Sequence, residues 1–121
     1  MESLIINATS STPSVEFDGN TGVFSITGKS YPENVNDFYF SVFDYINLYK
    51  KTPKPRTILH FNWLYYNTAT SKIIVKIIQL LKNVSPEFEV KWYCKKDFEM
   101  MIEKGEELRE VLEVNLNVVY V

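Results

Sequence analysis

Three hydroxyl side chains stand close together where an apolar run gives way to an amphipathic run in the middle of the chain. The junction is the segment Leu64–Lys72, and its hydroxyls belong to Thr68, Thr70 and Ser71. The two runs predict a strand followed by a helix, so these hydroxyls lie beside unpaired N–H groups at the positive end of the helix dipole. That position suits a helix cap, in which Thr68 or Thr70 accepts a hydrogen bond from a first-turn N–H, and it equally suits a phosphate. The residue types by themselves do not rank the three hydroxyls.

The side chains that most often carry enzyme chemistry are sparse. His60 is the only histidine, so no second histidine can complete a metal site with it. Cys94 is the only cysteine and falls on the apolar side of its predicted strand, where a thiol behaves as a small hydrophobic group. A cysteine nucleophile needs a base near it. On the predicted alternation, His60 points to the opposite face of the sheet from Cys94 and cannot serve as that base. We therefore predict a non-enzymatic protein without catalytic residues, metal or cofactor.

The composition predicts one compact domain spanning residues 1–121. The chain is 45% hydrophobic and 15% aromatic, which is enough apolar material for a single core. Its 13 Lys and Arg nearly balance 15 Asp and Glu, which argues against nucleic-acid and membrane-surface partners and favours proteins or small molecules. We expect the protein in the reducing cytoplasm, because the sequence shows a lone cysteine, no leader-like N-terminus and no apolar run near the ~20 residues that span a bilayer.

Hydrophobic periodicity predicts a hairpin followed by alternating helices and strands. Strands are expected at Leu4–Ile6, a short edge strand, and at Ser14–Phe17, Val23–Thr27, Arg56–Tyr66, Phe88–Cys94 and Leu116–Tyr120. Helices are expected at Val35–Lys51, with Asn34 as its cap, at about Ala69–Asn83, and at Phe98–Leu112.

The strands alternate between an apolar and a polar face, so helices are expected mainly on one face of the sheet. In the strand Arg56–Tyr66, alternation places one set of side chains on the apolar face, namely Leu59, Phe61, Trp63 and Tyr65. The other face carries Ile58, His60, Asn62 and Leu64. Right-handed crossovers that keep every helix on one face add parallel strands in one direction, with Arg56–Tyr66 central. The expected fold class is α/β: a two-layer domain with a mixed sheet, in which an N-terminal antiparallel hairpin precedes parallel strands.

The carboxyl ends of the parallel strands share one rim, where ligands and partners of such sheets usually meet. The loops at this rim are Ser30–Asn34, Asn67–Lys72 and Lys95–Asp97. One alternative is a small-ligand-binding or catalytic domain that uses the open sheet face, with Glu16, His60, Asn62 and Tyr93. Another is that the open face forms a homodimer.

Two rim segments also carry a family likeness. The chain resembles the SiaC family of bacterial regulatory phosphoproteins, whose Ser-Tyr-Pro-Glu-Asn and Asn-Thr-Ser-Ser-x-Lys segments correspond here to Ser30–Asn34 and Asn67–Lys72. Ser11–Pro13, Trp92-Tyr93 and Gly105-Glu106 add to a resemblance that covers essentially the whole chain. The departure is Ala69, where the family usually has serine. The resemblance implies a non-enzymatic switch with a STAS-like fold, similar to anti-sigma-factor antagonists.

By the same resemblance, the switch is phosphorylation of the threonine after the asparagine, which is Thr68 here, with Thr70 and Ser71 as alternatives. A dedicated kinase and a metal-dependent phosphatase set its state. The unphosphorylated form engages an effector, typically a diguanylate cyclase in cyclic di-GMP signalling of the biofilm type. The expected partner-binding residues are Tyr31, Pro32, Glu33, Asn34, Tyr65, Asn67 and Lys72. A phosphate would add nearly two negative charges to this rim, and a partner packed there would have to desolvate them.

Overall fold

The structure is a computed structural model that describes residues 1–121, in which three helices accompany one six-stranded sheet. The strands are β1 Leu4–Ile6, β2 Ser14–Asp18, β3 Val23–Ser30, β4 Arg56–Tyr66, β5 Glu87–Cys94 and β6 Leu116–Tyr120. The helices are α1 Val35–Tyr49, α2 Thr68–Leu81 and α3 Glu99–Leu112. The spatial order of the strands is their order in the sequence, from β1 at one edge to β6 at the other.

The N-terminal half of the sheet is antiparallel, and its hairpin turn depends on one glycine. β1 pairs with β2, and β2 pairs with β3, both antiparallel. In the turn between β2 and β3, the Asn20 N–H donates to Asp18 Oδ1 at 2.9 Å. Gly22 has a φ of +76°, and a Cβ there would collide with the Arg56 carbonyl oxygen, so glycine fits both the backbone and the space.

The remaining strands pair in parallel, and the three helices cover one face of the sheet. Each helix connects two neighbouring parallel strands, from β3 through to β6. Buried side chains form rows across the covered face, one of which is Phe24, Leu59, Val90 and Leu116. The predicted two-layer mixed-sheet fold with β4 near its centre is therefore confirmed.

A bulge corrects the predicted alternation at the end of β4. Gly28 pairs with Trp63 but Lys29 pairs with Tyr65, so Leu64 is an extra residue in its strand. Such an insertion turns the following side chains to the other face. Tyr65 is therefore 51% exposed and Tyr66 only 7% exposed, and the prediction that Tyr65 lies on the apolar face is wrong.

The predicted helices are present with shifted ends. α1 begins after Asn34, whose side chain accepts a hydrogen bond from the Asp37 N–H at 3.1 Å, which confirms the predicted cap. α2 and α3 lie side by side, and Lys82 Nζ, just beyond α2, donates to the Leu112 carbonyl at the end of α3 at 2.6 Å. None of the three helices has the length and apolar character needed to cross a membrane.

Candidate functional site

The start of α2 is capped by the asparagine that precedes the hydroxyl cluster. Asn67 Oδ1 accepts a hydrogen bond from the Thr70 N–H at 2.9 Å. The Asn67 N–H itself donates to the Ser30 carbonyl at 3.1 Å, which ties this helix start to the end of β3. The prediction that Thr68 or Thr70 caps the helix is therefore wrong. Asparagine is among the strongest N-cap residues, and its side chain places both threonines inside the first turn.

Thr70 is buried in a small network of hydroxyl groups beneath the rim. Its Oγ1 donates to the Ser30 carbonyl at 3.1 Å and lies 2.8 Å from Ser30 Oγ. Ser30 Oγ in turn lies 2.7 Å from the Tyr39 hydroxyl of α1. Burial raises the pKa of Tyr39 to about 12, so its hydroxyl stays protonated and can donate to Ser30 Oγ. The hydroxyl groups of Thr70, Ser30 and Tyr39 therefore connect α2, β3 and α1. The prediction that Ser30 is a loop residue is wrong, because it is the buried last residue of β3.

The other two hydroxyls differ in their freedom to react. Ser71 is a half-buried residue, and its Oγ donates to the Thr68 carbonyl at 2.5 Å. The Thr68 side chain is exposed, and its hydroxyl has no hydrogen-bond partner within the protein, in contrast to the hydroxyls of Thr70 and Ser71. Of the three candidates, Thr68 is the one that is exposed and whose hydroxyl makes no hydrogen bond within the protein.

Two of the predicted partner-binding residues, Tyr31 and Tyr65, lie next to each other. Tyr31 and Tyr65 pack edge to face, with ring centroids 5.8 Å apart, and are 41% and 51% exposed. The Tyr31 hydroxyl donates to the Ser10 carbonyl at 2.7 Å, so the segment before β2 supports this loop. Beyond Tyr31, Pro32 is half-buried and Glu33 is exposed. The bulge in β4 is what turns Tyr65 towards Tyr31, because without it Tyr65 would face the core.

A groove runs from this helix start between α2 and α3. It has a volume of about 570 Å³ and is named here the α2–α3 groove. Its lining residues are Tyr65, Tyr66, Asn67, Thr68, Ser71, Lys72, Ile74, Val75, Lys104, Glu107, Leu108 and Val111. The predicted residues Asn67, Thr68 and Lys72 are among them, whereas the whole contribution of α3 was missed. The available signal was Lys104, the only lysine in a helix rich in glutamate.

The α3 side of the groove places opposite charges around Tyr66. Lys104 Nζ lies 4.4 Å from the centroid of the Tyr66 ring, a cation–π distance. Burial, with a smaller contribution from the Glu107 carboxylate, raises the pKa of the Tyr66 hydroxyl to about 12. Tyr66 is therefore uncharged at neutral pH, and the Lys104 ammonium lies over its ring.

The open face of the sheet carries a second, shallower polar depression of about 260 Å³. There His60 Nδ1 lies 2.8 Å from the Tyr93 hydroxyl, beside Asn62, while Glu16 is not among the lining residues. Desolvation and the Lys91 ammonium lower the pKa of His60, against a smaller opposing effect of the Glu89 carboxylate. Ligand binding or homodimer formation on this face stays a prediction.

The mixed sheet and the capped helix start after Asn67 define a two-layer α/β domain with an exposed threonine at one rim. The chain belongs to the SiaC family, because the family model described as SiaC family regulatory phosphoprotein matches residues 6–121. It is also similar to an uncharacterized protein of Pseudomonas aeruginosa strain UCBPP-PA14, at 30% identity over 113 residues that cover 91% of this chain and 90% of the relative.

Solved structures of SiaC from Pseudomonas aeruginosa share the fold. Apo-SiaC matches with a TM-score of 0.87 at 28% identity over 98% of both chains. A chain in the crystal structure of diguanylate cyclase SiaD in complex with its activator SiaC matches with a TM-score of 0.88 at 28% identity, over 95% of this chain and 97% of that one. The predicted family resemblance and fold class are confirmed.

Proposed function

We propose that this protein is a protein-binding signalling module controlled by reversible phosphorylation of Thr68, and that its unphosphorylated form engages a diguanylate cyclase as effector. The observation that carries the proposal is the contrast among three neighbouring hydroxyls, of which only that of Thr68 is both exposed and free of hydrogen bonds. A cognate kinase and phosphatase would set the phosphorylation state. The class of effector is supported by the family relative SiaC, which is the activator of diguanylate cyclase SiaD in Pseudomonas aeruginosa.

The switch acts through charge at a contact surface. A phosphate adds nearly two negative charges at neutral pH. Thr68 lines the α2–α3 groove together with Tyr65, and Tyr65 packs against Tyr31 in an exposed aromatic pair. A partner packed on either surface would bury that charge, which is costly unless the partner supplies a cation. Phosphorylation therefore releases the effector without any need for refolding of the domain.

Phosphorylation mapping tests the switch residue. The protein and its Thr68→Ala and Ser71→Ala variants are incubated with the cognate kinase and ATP, and intact mass and phosphopeptides are measured. We expect one phosphate on the unchanged protein and on Ser71→Ala, and none on Thr68→Ala. Ser71→Ala is the matched control because it removes a hydroxyl from the same helical turn. A phosphate that maps elsewhere would refute the assignment of Thr68.

Effector binding tests the role of charge separately from that of size. Thr68→Glu adds a carboxylate, and Thr68→Gln adds a side chain of nearly the same shape without charge. With the candidate cyclase, we expect Thr68→Glu to weaken binding by about tenfold or more, which corresponds to ~1.4 kcal/mol, and Thr68→Gln to leave it nearly unchanged. Isothermal titration calorimetry gives both affinities. Equal losses in the two variants would show that size, not charge, controls binding.

A further inference from the structure

Two lysines from different helices face the α2–α3 groove together with Thr68. Lys72 lies one turn after Thr68 on the same side of α2, and Lys104 enters from α3. Neither ammonium takes part in a salt bridge within the protein. Glu107 is the only carboxylate among the lining residues. The groove therefore offers two unpaired cations against one anion, beside a free hydroxyl.

The Lys104 ammonium is held at a defined place in this groove. It lies 4.4 Å from the centroid of the Tyr66 ring. That ring is fixed in turn against Trp63 and Trp92, at centroid distances of 5.4 and 6.3 Å. Tyr66 ends β4 immediately before Asn67 and Thr68, so its contact with Lys104 keeps the ammonium near the start of α2. The same contact limits the rotamer entropy that the Lys104 side chain loses when it binds an anion.

We propose that a phosphate on Thr68 is bound in cis by Lys104 and Lys72 in the α2–α3 groove, so that α3 responds to the modification of α2. This inference rests on the proposed function of Thr68. Ammonium groups form charge-assisted hydrogen bonds with phosphate oxygens, which are stronger than bonds between neutral groups. Bound in this way, the phosphate covers the entrance of the groove and neutralises its two cations. A partner would then lose both an apolar cleft and a positively charged contact.

The pKa of the phosphate itself reports such binding. The second pKa of phosphothreonine is about 6 in water, and nearby ammonium groups lower it because they favour the dianion. Phosphothreonine is incorporated at position 68 during translation, so that the test does not depend on a kinase, and 31P NMR follows its titration. Lys104→Gln and Lys72→Gln are compared with Lys76→Gln. Lys76 is a matched control because it lies on α2 with its ammonium 4.9 Å from the centroid of the Phe43 ring, outside the groove.

We expect the titration midpoint to rise by about half a pH unit in Lys104→Gln and in Lys72→Gln, and to stay unchanged in Lys76→Gln. Lys104→Arg should keep the low midpoint, because it retains the charge and the contact with Tyr66. A midpoint that is equal in Lys104→Gln and Lys76→Gln overturns the inference. That result would leave the proposed function intact, whereas failure of the kinase to modify Thr68 would count against the function and not against this lysine site.

Discussion

Thr68 and Thr70 are the same residue type, two positions apart, yet their hydroxyl groups have different roles. The Thr70 hydroxyl is buried and bonded to the backbone and side chain of Ser30. The Thr68 hydroxyl faces solvent. A buried and satisfied hydroxyl contributes to stability and cannot be phosphorylated without breaking its bonds, whereas an exposed one contributes little and remains reactive. Under the proposed function, stability and modification therefore belong to separate residues within one helical turn.

Replacement of each threonine by valine tests this division. Valine keeps the branched shape but removes the hydroxyl, so Thr70→Val leaves the Ser30 carbonyl with one partner fewer in a buried site. We expect Thr70→Val to lower the free energy of unfolding by about 1–2 kcal/mol and Thr68→Val to change it by less than ~0.5 kcal/mol. Urea denaturation followed by circular dichroism measures both. Similar losses in the two variants would contradict the separation.

The single histidine gives a pH-dependent test of the open face. Because desolvation and Lys91 lower its pKa below 6.5, the folded protein binds the His60 proton less readily than the unfolded chain does. This group therefore leaves stability unaffected above the unfolded pKa and reduces it as pH falls through that value towards the folded pKa. NMR titration should give a midpoint below 6.5 that rises in Lys91→Gln and falls in Glu89→Gln. A midpoint insensitive to both changes would disprove the electrostatic explanation.

At the scale of the elements, close packing of α3 on β5 forms one wall of the α2–α3 groove. Gly105 faces the buried Trp92 ring, and a Cβ at this position would lie 2.6 Å from Trp92 Cδ1. The indole cannot easily move, since its Nε1 donates to the Met101 carbonyl of α3 at 2.9 Å. The absence of a side chain at Gly105 therefore sets how near α3 comes to the sheet, and with it the position of Lys104.

Gly105→Ala tests this close approach. Alanine favours helix by about 1 kcal/mol over glycine, but overpacking a rigid core typically costs about 1–3 kcal/mol. Because three indole atoms lie within 3 Å of the new Cβ, we expect the steric effect to dominate and the free energy of unfolding to fall by about 1–2 kcal/mol. Glu106→Ala, an exposed change in the same helix, is the control in thermal denaturation. A stabilised Gly105→Ala variant would show that α3 can move away from the sheet freely.

At the scale of the whole molecule, the proposed switch lies at one end of the sheet, far along the strands from the other end. Thr68 lies at the carboxyl ends of the parallel strands, and the turn Asp18–Gly22 lies at their amino ends. Screening limits electrostatic effects to about 10 Å at ordinary ionic strength. A charge at Thr68 should therefore change the surface at one end of the sheet and leave the other end as it is.

Protein with phosphothreonine at position 68 should show this confinement. In 1H–15N NMR spectra we expect shift changes at the start of α2, at Tyr31 and along the part of α3 that lines the groove. The turn Asp18–Gly22 should be unchanged, and the melting temperature should differ by only a few degrees. Shifts spread evenly over the sheet would mean that phosphorylation reorganises the fold and that release of a partner is not a local effect.

The amino-acid sequence by itself determined the elements, their order and the rim that they form. Hydrophobic periods of two and of about 3.6 residues are local properties, and right-handed crossovers on one face allow few topologies, so the two-layer sheet followed from the pattern. The helix cap at Asn34 was equally local. The family resemblance selected Thr68, a choice that residue types alone did not make.

Only the tertiary structure decided which hydroxyl groups form hydrogen bonds within the protein and which one does not. The bond between Ser30 and Thr70 joins residues 40 positions apart, and no local pattern encodes it. The bulge at Leu64 depends on pairing with β3, and the contact of Lys104 with Tyr66 depends on how closely α3 packs on the sheet. Each of these features is set by packing between distant segments, and together they define the surroundings of Thr68.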